Sequence, residues 1–278
     1  MRNISFGQYY PADSIIHKLD PRAKVILAML YIVASFVCKN VLGFALLILS
    51  AAVVMAVSRI PLKTIFRAIK PVLVIMFFTT LLNVFLVKEG VLVFSWWIIN
   101  IYSKGIYAAI SAMIRVMVLI IGSSIFLTYT TTPIQLTDGI EQLFGFLKVI
   151  KVSVHEFAMM TSIALRFIPT LVEETEKIIS AQKARGADFT SGGLIKRAKT
   201  LVPILVPLFI SAFRRADELA VAMECRCYRG GDGRTKLHVL KYRFSDFIMI
   251  FSGLVFLAGI ILINYFEIDF SFVKSEWF

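Results

Sequence analysis

The sequence predicts an all-α integral membrane protein with about five to six transmembrane helices and a cytoplasmic bundle of amphipathic helices. Composition is the first reason, because 58% of the 278 residues are hydrophobic and 17% are charged. A soluble domain of this length cannot bury so much apolar surface. Pattern is the second reason, because the apolar residues form separate runs that approach about 20 residues, the length that crosses a bilayer.

Five apolar runs are candidate spans, at 25–38, 41–57, 72–87, 105–129 and 247–265. Only Lys39 and Asn40 separate the first two runs, which predicts a tight hairpin of two short spans. Asp20 and Pro21 supply an N-cap and a first-turn proline for the first helix. The alternative is one very long helix, which would reverse the topology of everything that follows.

The run at 91–101 is too short to span a bilayer and contains the adjacent Trp96 and Trp97. This favours a hairpin or a re-entrant piece at the membrane interface. A long amphipathic insert, residues 130–246, separates the fourth and fifth candidate spans. Helices are predicted in the insert near 133–150, 153–170, 171–185 and 203–226. The second of these is apolar enough to be a sixth span.

These runs divide the chain into three parts. They are an N-terminal membrane region with four spans (1–129), a cytoplasmic domain (130–246), and a C-terminal transmembrane helix with its tail (247–278).

The formal net charge is +12, and the basic residues lie between apolar runs instead of forming one patch. We therefore expect a lipid bilayer and no nucleic acid as a partner. With the N-terminus inside, most basic residues are cytoplasmic, as the positive-inside rule requires. The first twenty residues lack the apolar core of a cleaved signal peptide.

No catalytic, cofactor or metal site is predicted. The three cysteines include Cys225 and Cys227, but one Cys-x-Cys pair without nearby histidine is a poor zinc site. His155 and Glu156 begin like a zinc-protease helix, yet Met159 stands where the second histidine would be. The sequence also lacks the glycine-rich loop that binds ATP phosphates.

Two charged, helix-like segments each end near an arginine between small residues. The two tripeptides are Ala184-Arg185-Gly186 and Cys225-Arg226-Cys227. An arginine in the last turn complements the helix dipole, so capping is the simpler explanation for either one alone. The small neighbours, however, leave the guanidinium exposed, and its planar fork suits a carboxylate in a partner groove. The repeated pattern predicts two equivalent grooves, and hence a dimeric or pseudo-dimeric partner.

Five motifs resemble the transmembrane T component of energy-coupling factor (ECF) transporters, cobalt-type members included. They are SIIHKLDPRAK (14–24), LTYTTTPIQLTDGIEQL (127–143), ALRFIPTLVEE (164–174), AQKARGADF (181–189) and RRADELAVAMECRCYRG (214–230). The resemblance covers nearly the whole chain in order. It implies a bacterial or archaeal cell-membrane complex with two ABC-type ATPases, as a homo- or heterodimer. It also implies a small membrane S component that binds a vitamin or metal ion.

The same resemblance implies that this chain is a non-catalytic coupling subunit, with the insert as its coupling domain. Each arginine at a helix end would dock in a groove of one ATPase, a role that falls on Arg185 and Arg226 with their small neighbours. The second motif departs from the family pattern, because Cys225 and Cys227 replace alanine and glycine. Cysteine is small enough for docking, but the backbone turn loses the freedom that glycine provides.

Other candidate residues lie between these ends and in the membrane region. Arg166 is a candidate to pair with Glu173 or Glu174, or to snorkel at the bilayer edge. Arg115 lies within a span, where a charge is costly, and we expect it to pair inside the protein or to lie shallower. An apolar stripe marks an interaction surface, and by resemblance it supports the S component. The stripe covers 201–213, and the expected seat within it comprises Leu201, Leu205, Leu208, Phe209 and Phe213.

Two alternatives stay open on the sequence alone. A stand-alone membrane permease would need polar groups that converge within the membrane, and Arg115 by itself provides thin support. A membrane-embedded hydrolase would resemble the intramembrane proteases with paired glutamates. The arginine expected four residues after the second glutamate is absent, which makes this alternative the weaker one.

Overall fold

The computed structural model describes residues 9–96, 99–150, 153–187, 193–230 and 239–266. Helices dominate these residues, and the all-α prediction is confirmed apart from one short hairpin. In chain order the elements are α1 (Pro21–Val37), α2 (Val41–Ser58), α3 (Leu62–Ile69), α4 (Leu73–Leu86), β1 (Leu92–Trp96), β2 (Ile99–Tyr102), α5 (Ser103–Ser123), a π-helix (Ser124–Tyr129), α6 (Pro133–Leu143), a 3-10 helix (Phe144–Ile150), α7 (Val154–Ala184), α8 (Leu194–Cys225) and α9 (Phe244–Tyr265).

The described residues form two compact units. The first contains the chain up to Gln142 and from Leu240 onward, and the second is Leu143–Val239. The first unit therefore holds α1 to α5, nearly all of α6, and α9. The second holds the 3-10 helix, α7 and α8. The second unit is narrower than the insert at 130–246, since α6 and the start of α9 belong with the first.

The break between the first two apolar runs is confirmed, so the single long helix is excluded. Helix α1 begins as expected, because Asp20 accepts a hydrogen bond from the Arg22 backbone N–H at 2.9 Å and Pro21 is the first helical residue. Asp20 itself has extended backbone dihedral angles. An N-cap residue has this geometry, so the start of α1 is specified by adjacent residues.

The end of α1 is held by side chains from two other helices. Arg115 of α5 donates to the Cys38 carbonyl at 3.0 Å, and Asn264 of α9 donates to the Val37 carbonyl. The Arg115 guanidinium also lies 5.7 Å from the Phe44 ring. Arg115 therefore pairs inside the chain, where it satisfies a carbonyl that the helix break leaves open.

Three described helices are long and apolar enough to cross a membrane, namely α2, α5 with its π-helix, and α9. Helices α3 and α4 bend by 58° at their break and make a fourth if they form one span. The sequence predicted more transmembrane helices than this, about five to six. Helix α1 has only 17 residues, which is about 25 Å against a hydrocarbon core of about 30 Å. The stretch 153–170, proposed as a sixth span, is part of α7, which is not among these helices.

The stretch at 91–101 forms a hairpin, one of its two predicted structures. Strands β1 and β2 pair antiparallel, with Ser95 opposite Asn100 and Trp96 opposite Ile99. Residues 97 and 98, which include the second tryptophan of the predicted interfacial pair, lie outside the described residues. Five residues of strand span about 17 Å, so this hairpin connects α4 to α5 without crossing a bilayer.

Close packing around Tyr31 holds α1 against its neighbours in the first unit. The Tyr31 ring lies edge-on to Phe126 at 6.4 Å and stacks on Phe256 at 6.5 Å. Gly122 of α5 lies directly against this ring, because a Cβ atom there would be 2.2 Å from a Tyr31 ring carbon. A side chain at position 122 would therefore displace the ring around which α1, α5 and α9 pack.

Replacing Gly122 with alanine is expected to lower the free energy of unfolding by about 1–3 kcal/mol, because the added methyl group overpacks the helix contact. Gly259→Ala is the matched control, since no atom lies within 4 Å of a Cβ at that helical position and alanine favours the helix. Thermal unfolding of both variants in detergent micelles measures the difference. Equal melting temperatures for the two variants would contradict this account of the packing.

Helices α7 and α8 are longer than the sequence predicted. Helix α7 merges the helices predicted at 153–170 and 171–185, and Pro169 lies inside it. Helix α8 begins at Leu194, so the predicted helix 203–226 starts too late, and two more prolines lie inside α8. A proline within a helix removes one backbone hydrogen bond. Contacts between the two long helices offset that loss, so neither helix ends there.

Candidate functional site

The end of α7 is a Schellman turn with Arg185 as its C-cap residue. The Gly186 backbone N–H donates to the Lys183 carbonyl at 2.9 Å, and the Ala187 N–H donates to the Gln182 carbonyl at 3.0 Å. Gly186 has a φ of +84°, a left-handed conformation that glycine adopts without strain. Backbone groups thus satisfy these terminal carbonyls, and the Arg185 side chain is not needed to cap them.

The end of α8 repeats this turn around Arg226, although its sequence differs. The Cys227 backbone N–H donates to the Glu224 carbonyl at 2.9 Å, and the Tyr228 N–H donates to the Met223 carbonyl at 3.0 Å. Cys227 takes the left-handed conformation with a φ of +55°, which costs a non-glycine residue about 1–2 kcal/mol. The turn that the sequence left uncertain is therefore formed, with cysteine in the position of glycine.

Both arginines are exposed, and so are the small residues beside them. Ala184, Gly186, Cys225 and Cys227 all face solvent, and the two cysteines are free thiols. A Cβ atom built on Gly186 would meet no other atom within 4 Å. The backbone of another protein can therefore approach each helix end and reach its guanidinium group.

The two ends lie far apart, because α7 and α8 run in opposite directions. Arg226 lines a cavity with Met159 and Arg166 of α7, whereas Arg185 follows the last residue of that helix. The stretch of α7 between them is about 30–40 Å long at 1.5 Å per residue. Two arginines at this distance require two separate binding sites.

Within the pair, Glu174 of α7 binds Arg215 of α8, with 3.1 Å between Oε2 and Nη2. Arg166 was expected either to pair with Glu173 or Glu174 or to snorkel at the bilayer edge. It lies in the cavity beside the α8 end, and the pairing with Glu174 is not formed. Glu173 is exposed. A hydrogen bond from Ser211 and the bond and charge of Arg215 hold the pKa of Glu174 below its ordinary value of 4.5. Glu174 thus joins the two long helices to each other.

Acid is expected to weaken the α7–α8 pair. Because the folded-state pKa of Glu174 is lowered, its contribution to stability is present above pH 4.5 and is lost as the pH falls through the folded-state pKa. Thermal unfolding measured from pH 7 to pH 3 should therefore show a steeper loss for the native chain than for Glu174→Gln. Glu173→Gln is the control on the same helix and should follow the native profile. Parallel profiles for the native chain and Glu174→Gln would contradict this role.

An apolar stripe is exposed along α8. Four of the five residues predicted for it are exposed, Phe209 at 60% and Phe213 at 69% among them, whereas Leu208 is half-buried. Three further residues of the predicted run at 201–213 are exposed as well. They are Val202, Val206 and Ile210. A continuous face of this kind marks a surface that interacts with a partner.

A buried polar network in the first unit was also missed. Asp246 is fully buried and accepts the Asp20 backbone N–H at 2.9 Å and the Arg243 backbone N–H at 2.6 Å. Arg22 binds the two carboxylate oxygens of Asp20 at 3.0 and 2.8 Å. Burial tends to raise the pKa of Asp20, but the hydrogen bonds and charge of Arg22 outweigh it, so the pKa is lowered. The network joins the start of α1 to the start of α9.

Lys24 extends this network toward the end of the π-helix. Its side chain is buried, and Nζ donates to the His17 carbonyl at 3.1 Å and to the Thr130 carbonyl at 2.7 Å. Lys24 and Thr130 lie in two of the motifs on which the family resemblance rests. The available signal was their position beside apolar runs, where a polar group needs a partner.

These features define a multi-spanning helical membrane protein that carries a second unit of two long paired helices. The two helices, α7 and α8, end in the same backbone turn, and each turn contains an exposed arginine. In the part of the chain that the structure describes, no group of three or more His, Cys, Asp and Glu side chains could hold a metal ion.

Comparison with known proteins gives the family. The CbiQ family of cobalt transport proteins matches residues 12–239. The energy-coupling factor transporter transmembrane protein EcfT of Ruminiclostridium cellulolyticum is 50% identical over 265 residues, which cover 95% of this chain and 98% of the relative. The EcfT proteins of Bacillus subtilis and Lactococcus lactis are 46% and 44% identical, over 93% and 94% of this chain and 97% and 98% of their own. The chain belongs to this family of ECF transporter transmembrane proteins, which confirms the resemblance. It is a membrane-spanning transporter subunit.

Proposed function

We propose that this chain transmits the ATP-driven motion of two ABC-type ATPase subunits to a membrane-embedded S component, which binds the vitamin or metal ion to be imported. ATP binding closes the ATPase dimer, and Arg185 and Arg226, each held by one subunit, move with it. The rigid α7–α8 pair converts that movement into a displacement of the S component. Hydrolysis by the ATPases resets the pair, and this chain catalyses no reaction.

One observation carries the proposal, namely that two helix ends with different sequences have the same turn and the same exposed arginine. Neither arginine is needed to cap its helix, so its side chain is available to a partner. Arginine is always charged and can form two parallel hydrogen bonds to a carboxylate. At about 30–40 Å apart along α7, each arginine reaches a different ATPase subunit.

The apolar stripe on α8 is the proposed seat of the S component. It comprises Leu201, Leu205, Leu208, Phe209 and Phe213 together with the three further exposed residues of the run. Apolar attraction is non-directional, so a partner can shift across such a surface without breaking specific hydrogen bonds. The two kinds of surface therefore suit two tasks. The charged helix ends bind the ATPases, and the apolar face allows the S component to move.

The basic residues indicate how the chain is oriented in the membrane. Basic residues flank the apolar runs on the side of the N-terminus and the insert, so both lie in the cytoplasm under the positive-inside rule. Residues 1–129 and 247–278 then form the membrane region. Residues 130–246 form the coupling domain, and the second compact unit, Leu143–Val239, is its main part. The ATPases reach the coupling domain from the cytoplasm.

Co-purification of ATPase subunits with the tagged chain from detergent-solubilised membranes tests the proposal. Arg185→Ala and Arg226→Ala should each reduce the bound ATPase, and Arg214→Ala, an exposed arginine within α8, should retain it. Equal ATPase binding by all variants would contradict docking through these arginines. If no ATPase co-purifies even with the native chain, the coupling function is refuted and the stand-alone permease becomes the better explanation.

A further inference from the structure

A cavity of about 620 Å³ lies between α7 and the end of α8. Three of the residues that line it are arginines, Arg166 from α7 and Arg226 and Arg229 from the α8 end. All three are exposed, so the cavity is open to a partner. The docking arginine of α8 is therefore one member of a cluster built from both helices.

The cluster carries a positive charge that the described lining of the cavity does not balance. The residues lining the cavity include no aspartate or glutamate. Among the described residues, the structure shows no ion pair to Arg166, Arg226 or Arg229. Like charges that share a cavity repel each other, and a bound anion relieves that repulsion. The geometry thus favours a ligand with a negative charge.

The rest of the lining indicates what carries that charge. Met159, Ile163, Leu219 and Met223 give the cavity an apolar wall beside its charged one. A free inorganic anion gains nothing from an apolar wall, because its own hydration is lost there. A peptide segment with an acidic side chain next to an apolar one fits both walls.

We propose that this cavity receives an acidic segment of the ATPase partner, and that Arg166 and Arg229 bind it together with Arg226. This inference rests on the proposed docking function and adds two residues to it. It also makes the two helix ends unequal, because the α8 end offers three arginines in a cavity. At the α7 end, a Cβ atom on Gly186, beside Arg185, would meet no described atom within 4 Å.

Equilibrium binding of purified ATPase to the full-length chain in nanodiscs tests this inference. Arg166→Gln and Arg229→Gln should each weaken binding by about tenfold, since a charge pair at a desolvated interface contributes at least that much. Arg166→Lys should recover most of the loss, because it restores the positive charge. Arg214→Gln removes an exposed arginine of α8 that does not line the cavity, and it should bind like the native chain.

A double-mutant cycle adds a readout that a merely structural role would not produce. Arg166→Gln and Arg226→Ala should be non-additive, because both side chains bind one acidic segment. Arg166→Gln and Arg185→Ala should be additive, because these residues are about 30 Å apart along α7. The melting temperature of Arg166→Gln without ATPase should equal that of the native chain, which excludes a folding defect as the cause.

The outcomes separate this inference from the proposed function. If Arg185→Ala and Arg226→Ala leave ATPase affinity unchanged, the proposed function fails. If Arg226→Ala weakens binding but Arg166→Gln and Arg229→Gln behave like Arg214→Gln, the shared cavity is refuted while docking stands. Inorganic phosphate provides a further check. If it stabilises the native chain but not Arg166→Gln, and Arg166→Gln binds ATPase normally, the cavity is a free-anion site and this inference is wrong.

Discussion

The double variant Arg185→Ala, Arg226→Ala is expected to lose both ATPase subunits under conditions in which the native chain retains them. Truncating one partner of a desolvated charge pair costs about 2–5 kcal/mol. The two arginines are about 30–40 Å apart along α7, so their contributions should add to about 4–10 kcal/mol. That sum corresponds to a Kd raised by at least about a thousandfold. A complex of such low affinity would not be recovered in a pull-down.

Binding measured on the single and double variants in nanodiscs checks this expectation. Substitution of both arginines by lysine is an informative companion, because lysine keeps the charge but loses the planar fork. The double lysine variant should bind the ATPase more weakly than the native chain and more tightly than the double alanine variant. A double alanine variant that binds as tightly as either single variant would show that the two ends do not dock independently.

Asp246→Leu is expected to lower the free energy of unfolding of the first unit substantially. The carboxylate is fully buried and accepts the backbone N–H groups of Asp20 and Arg243. Leucine would leave the buried Asp20 N–H without a partner, at about 1–3 kcal/mol, and would remove the capping bond of Arg243, an exposed residue, at about 1 kcal/mol. A loss of about 2–4 kcal/mol is a large part of the 5–15 kcal/mol that stabilises a typical protein. The starts of α1 and α9 would then separate.

Thermal unfolding in detergent measures this loss, and two further variants interpret it. Asp246→Asn keeps one acceptor oxygen and should lose about half as much stability by the same hydrogen-bond argument. Glu89→Leu removes an exposed carboxylate that lies 3.9 Å from Lys104, and a surface pair contributes at most about 1 kcal/mol. If Asp246→Leu melts at the same temperature as Glu89→Leu, the buried network does not hold the two helices together.

Signals within a few residues explain what the sequence could predict. Asp20 and Pro21 specify the start of α1, and Lys39 and Asn40 mark its break from α2. Gly186 permits the left-handed turn that ends α7. In each case the physical cause is local backbone geometry or a short hydrogen bond, so neighbouring residues carry enough information.

The same local rules failed where packing overrides them. Pro169 lies inside α7 without ending it, and Cys227 adopts a left-handed conformation usually reserved for glycine. A proline inside a helix and a left-handed backbone at a non-glycine residue each cost free energy locally. Contacts with the rest of the second unit offset that cost for α7, and the completed hydrogen bonds of the turn do so for α8.

Membrane class, helix break, arginine ends and family therefore follow from the order of the amino acids, because each is a short-range pattern. Which side chains meet does not. Glu174 binds Arg215 and not Arg166, Arg166 shares a cavity with Arg226, and Asp246 caps a helix 226 positions away. These pairings depend on how whole helix faces pack and cross. No stretch of sequence contains that information until the chain has folded.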